Sequence, residues 1–161
     1  MATIHSLELF ISVYTTKNIT ETAKQYYCSQ PSVSRCIKDL EEEYHTVLFE
    51  RYHHKLLATP SADILYTHAL RVLNSYNSLE QAMLTHNEKI RIGSTVTMSN
   101  TLLPKYIQQY SKQYPSIRIE VSVSNGESIY QDLLHNAIDI AFIENMISSS
   151  EVVAIPFYQD E

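Results

Sequence analysis

Ser29-Gln30-Pro31-Ser32-Val33-Ser34-Arg35, continued by Cys36-Ile37-Lys38-Asp39-Leu40, reads as a helix with a defined start and two unlike sides. Ser29 supplies an N-cap oxygen, and Pro31 falls in the first turn, where its missing N–H loses no hydrogen bond. Val33, Ile37, Leu40 and Tyr44 recur at spacings of 4, 3 and 4 and mark a buried stripe that ends near Tyr44. The other side carries Gln30, Ser32, Ser34, Arg35 and Lys38, all polar or cationic. Upstream, Tyr27-Cys28-Ser29 reads as a turn. Asn18-Ile19-Thr20-Glu21 reads as a capping box opening a short helix that holds Ala23 and Tyr26. Leu7, Phe10, Ile11 and Tyr14 give a first helix over roughly residues 3–16.

A short helix, a tight turn and a longer helix with an exposed polar N-terminal set make a helix-turn-helix pattern. Leu48-Phe49-Glu50-Arg51, Tyr52-His53-His54-Lys55 and Leu56-Leu57-Ala58 then read as a two-stranded hairpin with a polar, basic tip, a wing. Thr59-Pro60 is an N-cap with a first-turn proline and opens a helix running to about Thr85. Along it Leu65, Ala69, Val72, Tyr76, Leu79 and Met83 recur at 4, 3, 4, 3 and 4. This heptad seam is one that a second copy of the chain would bury; the alternative is packing on the chain's own wing or C-terminal part.

Both glycines, Gly93 and Gly126, lie in the second half, and residues 89–161 change character. Lys89-Ile90-Arg91-Ile92-Gly93 and Ile117-Arg118-Ile119-Glu120-Val121-Ser122-Val123 alternate apolar and polar as half-buried strands do. Leu102, Leu103, Tyr106, Ile107 and Tyr110 share one face of a helix ending before Pro115, and Ile129, Leu133 and Leu134 mark another. Ile138-Asp139-Ile140-Ala141-Phe142-Ile143 reads as a third strand, and Val152-Val153-Ala154-Ile155-Pro156-Phe157 as a last one. Strands alternating with helices predict a parallel sheet of βαβ units. The expected fold is a mainly α winged helix-turn-helix over residues 1–58, a dimerisation linker helix over 59–88 and a partial α/β lobe over 89–161.

The 161 residues are 44% hydrophobic and 19% charged, enough to bury a core. No apolar run is long enough to span a membrane, and Met1-Ala2-Thr3-Ile4-His5-Ser6 lacks a basic, apolar leader. No membrane partner and a cytoplasmic location are expected. Cys28 and Cys36 form no disulfide framework and read as small core or helix-face residues. His53-His54 lacks further ligands at metal spacing and reads as a solvated loop tip. Asp132 and Asp139 read as a helix-surface and a strand-end residue, and no nucleophile elbow or phosphate-cradling glycine loop occurs. No catalytic residue, metal, cofactor or enzyme activity is expected. The net charge is −6, and residues 1–58 carry six Lys/Arg against seven Asp/Glu, so bulk charge offers phosphate no attraction. Five of those six cations nevertheless fall between Lys24 and Lys55, around the polar helix side and the hairpin.

Ser29 to Arg35, Ile37-Lys38-Asp39-Leu40-Glu41 and Leu48-Phe49-Glu50-Arg51 together resemble, in order and spacing, the DNA-binding signature of LysR-type transcriptional regulators. The likeness extends upstream through Asn18-Ile19-Thr20 and Ala23. Downstream it takes in Ile90-Arg91-Ile92-Gly93, Leu102-Leu103-Pro104 and Ile138-Asp139-Ile140-Ala141. His45 stands where that family usually has glycine, Ala58-Thr59 where it has Leu-Thr, and Ser61-Ala62 where it has a small residue and glycine. These departures touch turn geometry rather than the fold.

The resemblance implies a bacterial, sequence-specific regulator that binds double-stranded DNA at an interrupted palindrome. It implies a homodimer, or a tetramer as a dimer of dimers, assembled through the linker helix. It puts Gln30, Pro31, Ser32, Ser34 and Arg35 at the DNA, joined by Asn18, Thr20 and Ser29. Gln30 suits adenine, Arg35 guanine, and Ser32 and Ser34 either bases or phosphates. Lys38, Arg51, His53, His54 and Lys55 suit the backbone or minor groove. Each has a plainer reading as a solvated cation or a first-turn polar residue.

Residues 89–161 resemble the start of the family's periplasmic-binding-protein-like effector domain, which implies a small-molecule effector held between two lobes, the second absent from this chain. Either the natural protein is short or the chain is cut, as the terminal Asp160-Glu161 suggests. The hydroxyls of Thr95, Thr97 and Ser99 sit where a strand meets a helix N-terminus and favour an anion such as a carboxylate, or else only cap the helix. A rival reading is a small-molecule-binding module whose helical half only dimerises, with no salt-dependent DNA affinity.

Overall fold

A computed structural model describes residues 2–53, 55–85, 89–144 and 149–158, with the chain divided into the units Met1–Leu73 and Asn74–Glu161. The first unit holds α1 (Ile4–Thr16), α2 (Ile19–Gln25), α3 (Gln30–Glu43) and the hairpin β1 (Phe49–Tyr52) and β2 (Lys55–Ala58), after which α4 (Pro60–Thr85) begins. The strands pair antiparallel, Phe49 opposite Ala58 and Tyr52 opposite Lys55. Phe10, Val13, Val33, Leu40, Leu48 and Ala62 are buried in one core to which the three helices, the hairpin and α4 all contribute. Ala23 is buried there too, its small side chain letting α2 lie against its neighbours. This is a winged helix-turn-helix.

Two local expectations are corrected. Asn18 caps α2 by accepting from the N–H groups of Thr20 and Glu21, at 3.0 and 3.1 Å. Its own N–H donates to the Thr16 hydroxyl at 3.2 Å, so the reciprocal bond of a capping box does not come from Glu21. The capping box belongs to α1, where Thr3 and Ser6 exchange bonds. The α3 stripe ends at Leu40, because Tyr44 follows the helix as its cap and is 45% exposed. The chain then leaves through His45, which takes the left-handed conformation (φ 50°) that glycine adopts more readily.

Helix α4 is continuous over its 26 residues, but its apolar stripe is not uniform. Ala69 is 1% exposed and Leu65 is partly buried against the same core, so the first two members of the expected dimer seam already pack within the protomer. Val72, Tyr76, Leu79 and Met83 remain exposed.

The second unit carries β3 (Lys89–Ser94), α5 (Val96–Thr101), α6 (Leu103–Gln113), β4 (Arg118–Val123), α7 (Gly126–Leu134) and β5 (Ile140–Phe142). The sheet is parallel with order β4-β3-β5: one βαβ step leads from β3 to β4, and the next passes from β4 across the central β3 to β5. A Cβ on Gly93 would lie 2.5 Å from Ile138 Cδ1 and 3.0 Å from Ile129 Cγ2, so the absence of a side chain lets α7 and the strand after it close on β3. Asp139 stands just before β5 and accepts from Arg91 three times, from Nη2 at 2.7 Å, Nε at 3.2 Å and the backbone N–H at 2.8 Å. The third strand is accordingly shorter than Ile138–Ile143. Val152 to Phe157 forms no strand: Val153 and Ile155 are 88% and 76% exposed, with no ladder partner among the described residues. His54, Asp160 and Glu161 lie outside the described residues.

Candidate nucleic-acid interface and effector groove

Helix α3 begins on Ser29, whose hydroxyl accepts from the Ser32 N–H at 3.2 Å and exchanges a 2.8 Å bond with the Ser32 hydroxyl. With Val33, Ile37 and Leu40 buried, Gln30, Pro31, Ser32, Ser34, Arg35 and Lys38 are all exposed. At about 100° per residue, Gln30, Pro31, Ser34, Arg35 and Lys38 span about 140° of the helix, with Ser32 on its flank. Lys38 Nζ lies 3.5 Å from Glu42 on the next turn, an exposed pair that contributes little to stability. Asn18 and Thr20, at the start of α2, are exposed as well.

The wing is anchored at both ends. The Glu41 carboxylate, at the end of α3, accepts from the N–H groups of Leu48 and Phe49 at 2.7 and 3.2 Å. Thr59 donates its hydroxyl to the Val47 carbonyl at 2.7 Å while accepting from the Ala62 N–H at 3.2 Å, which is the expected N-cap of α4. Arg51, His53 and Lys55 are exposed on the hairpin, and His53 turns it with φ 44°. The exposed polar face of α3 and the hairpin thus belong to one unit. Sequence reading quoted Glu41 only as the last residue of the block Ile37 to Glu41 and gave it no role, because its bonds reach residues seven and eight positions on. No three His, Cys, Asp or Glu side chains gather as metal ligands among the described residues.

In the second unit, a groove of about 1460 Å³ is lined by Thr97, Met98, Ile138, Phe142, Glu144 and Phe157 among others. Thr95 makes no capping bond to α5 with its side chain. Its hydroxyl donates instead to Glu144 at 2.7 Å. Bonds from Thr95 and then Thr97 hold the Glu144 carboxyl below its ordinary range. Ser99 turns its hydroxyl back to the Val96 carbonyl at 2.9 Å. The place expected for a ligand anion thus holds the chain's own carboxylate, and of the three hydroxyl residues Thr97 lines the groove.

The family model described as bacterial regulatory helix-turn-helix protein, lysR family, matches residues 4–63, and that described as LysR substrate binding domain matches residues 85–161. The chain belongs to the LysR family of bacterial transcriptional regulators. Among its relatives, the uncharacterized HTH-type transcriptional regulator YeiE of Escherichia coli (strain K12) is 33% identical over 159 residues, covering 99% of this chain and 54% of its own length. The HTH-type transcriptional regulator CysL of Bacillus subtilis (strain 168) is 32% identical, covering 96% of this chain and 53% of its own length. The chain therefore spans about half the length of the curated relatives it matches. Full-length CbnR in complex with its target DNA shares the fold, with a TM-score of 0.71 at 20% identity over 92% of this chain and 52% of that one. These relatives are named as regulators of transcription, not as enzymes. No described helix is long and apolar enough to cross a membrane.

Proposed function

We propose that the chain reads double-stranded DNA as a homodimer, or a dimer of dimers, at an interrupted palindrome, and that in the whole protein a small-molecule effector tunes this. The carrying observation is the exposed polar face of α3, capped by Ser29 and flanked by the anchored wing. In this reading Gln30, Ser32, Ser34 and Arg35 meet base edges, with Pro31 beside them, and Asn18, Thr20, Ser29, Lys38, Arg51, His53, His54 and Lys55 meet the backbone or minor groove. Residues 1–58 form the DNA-binding part, 59–88 the dimerising helix and 89–161 part of the effector domain. Val72, Tyr76, Leu79 and Met83 are the members of the seam left for a partner copy. Of Thr95, Thr97 and Ser99, Thr97, beside Glu144, is the one that lines the groove we assign to the effector. Such a protein works in the cytoplasm, where its operators are.

A binding selection from genomic fragments, followed by footprinting, tests this. Two protected half-sites about 34 Å apart, or a multiple of that, are expected. Arg35→Ala is expected to weaken specific binding by roughly 1–3 kcal/mol. Footprints indifferent to Arg35 would reject the assignment of α3.

A further inference from the structure

Tyr27, in the turn between α2 and α3, is 99% exposed and has φ 52°. An aromatic residue is a real outlier in the left-handed region, which glycine, asparagine and aspartate enter far more easily. Strain of this kind persists where surrounding structure enforces it, and it clusters at functional positions. Here the enforcement is visible: the Tyr27 N–H donates to the Lys24 carbonyl at 3.3 Å and the Cys28 N–H to the Ala23 carbonyl at 2.9 Å, closing the turn. The turn explains the backbone, but not the side chain. An asparagine would suit the conformation better, and a phenol standing clear of the protein contributes no packing.

The position supplies a reason. Tyr27 stands two residues before Ser29, the cap of α3, at the end of the helix that enters a groove. The DNA-binding region is also poor in cations, with six Lys/Arg against seven Asp/Glu over residues 1–58. A surface with so little positive charge must hold phosphates partly through neutral donors, and tyrosine hydroxyls are among the groups that do so. We propose that Tyr27 is a DNA contact, its hydroxyl donating to a backbone phosphate beside the N-terminus of α3. The proposal rests on α3 being the recognition helix.

The test uses the full chain and duplexes recovered by selection from a random pool. Tyr27→Phe removes the donor alone, and Tyr27→Asn removes the ring and relieves the backbone. Both are expected to weaken binding about threefold to tenfold per half-site, the usual worth of one hydrogen bond. The salt dependence should stay as in the parent, because no charge is lost, whereas Lys55→Ala should lower the slope by about 1. Tyr27→Asn should melt no lower than the parent, which separates lost contact from lost fold. Parental affinity in Tyr27→Phe overturns the proposal, as does a change of oligomeric state in Tyr27→Asn without DNA, which would make the ring a protein contact. If Arg35→Ala also binds like the parent, the recognition-helix reading itself falls.

Discussion

Glu41 and Leu48 are joined by a 2.7 Å bond from the buried Leu48 N–H to the Glu41 carboxylate, and this contact seats the wing against α3. The same oxygen takes the Phe49 N–H at 3.2 Å. Glu41→Ala leaves both donors without that acceptor, and a cost of about 1–3 kcal/mol is expected in urea unfolding. Glu41→Gln keeps an acceptor oxygen and should lose less. An unchanged midpoint in Glu41→Ala would show that water replaces the carboxylate without penalty.

The two ends of the heptad seam should respond differently. Leu79 is 58% exposed, so Leu79→Glu is expected to leave the protomer folded and to abolish the proposed dimer. Ala69 is 1% exposed, so Ala69→Glu buries a charge in the protomer core and should unfold it. Sedimentation combined with circular dichroism separates the outcomes. A folded, dimeric Leu79→Glu protein would remove α4 from the dimer interface.

Alkaline titration should expose Tyr14. Its hydroxyl donates to Asp63 at 2.6 Å, and that bond, followed by burial, pushes its pKa up to about 12. The folded state therefore favours the neutral phenol. This contribution is complete below the ordinary tyrosine value of about 10 and is lost as pH rises from there through about 12. Of the 12 tyrosines, Tyr14 should ionise late in ultraviolet difference spectra. Asp63→Asn should bring it earlier and flatten the alkaline fall in stability; an unmoved transition would sever the link to Asp63.

The two glycines make a paired test. Gly93→Ala drives a methyl against Ile138 and Ile129 and is expected to destabilise by about 1–3 kcal/mol. Gly126→Ala meets nothing within 4 Å and should stay within about 0.5 kcal/mol of the parent. Equal midpoints would mean that the Ile138 side chain, whose terminal methyl is the nearest atom, swings clear and that Ile129 gives way without penalty.

Sequence reading succeeded where a period and a cap agreed. The α3 stripe from Val33 to Leu40, the Ser29 and Thr59 caps and the strands β3 and β4 each left a local signature, and the exposed face of α3 followed from the buried one, although burial does not alternate along β3 or β4 as the apolar-polar pattern led one to expect. It failed where a tertiary partner decides. Ala69 has the same spacing as Leu79, yet only the fold shows one buried and the other open. Asn18 and Glu21 have capping-box spacing, but the Thr16 hydroxyl took the N–H first. Val152 to Phe157 has strand composition but pairs in no ladder among the described residues, although the Phe157 ring packs on Phe142 of β5. The Thr95–Glu144 bond joins residues 49 apart, beyond any local pattern.

Thr59 gives the wing a mechanical role. It ties Val47 and Leu48 to the first turn of α4, and four-residue strands carry the hairpin tip about 13 Å beyond that tie. A tilt of about 5° at the root of α4 then sweeps the tip through about 1 Å, enough to make or break a hydrogen bond at the far end. Because Ala62, Leu65 and Ala69 of α4 pack in the same core as α1 to α3, such a tilt has to carry the helical core along with the hairpin.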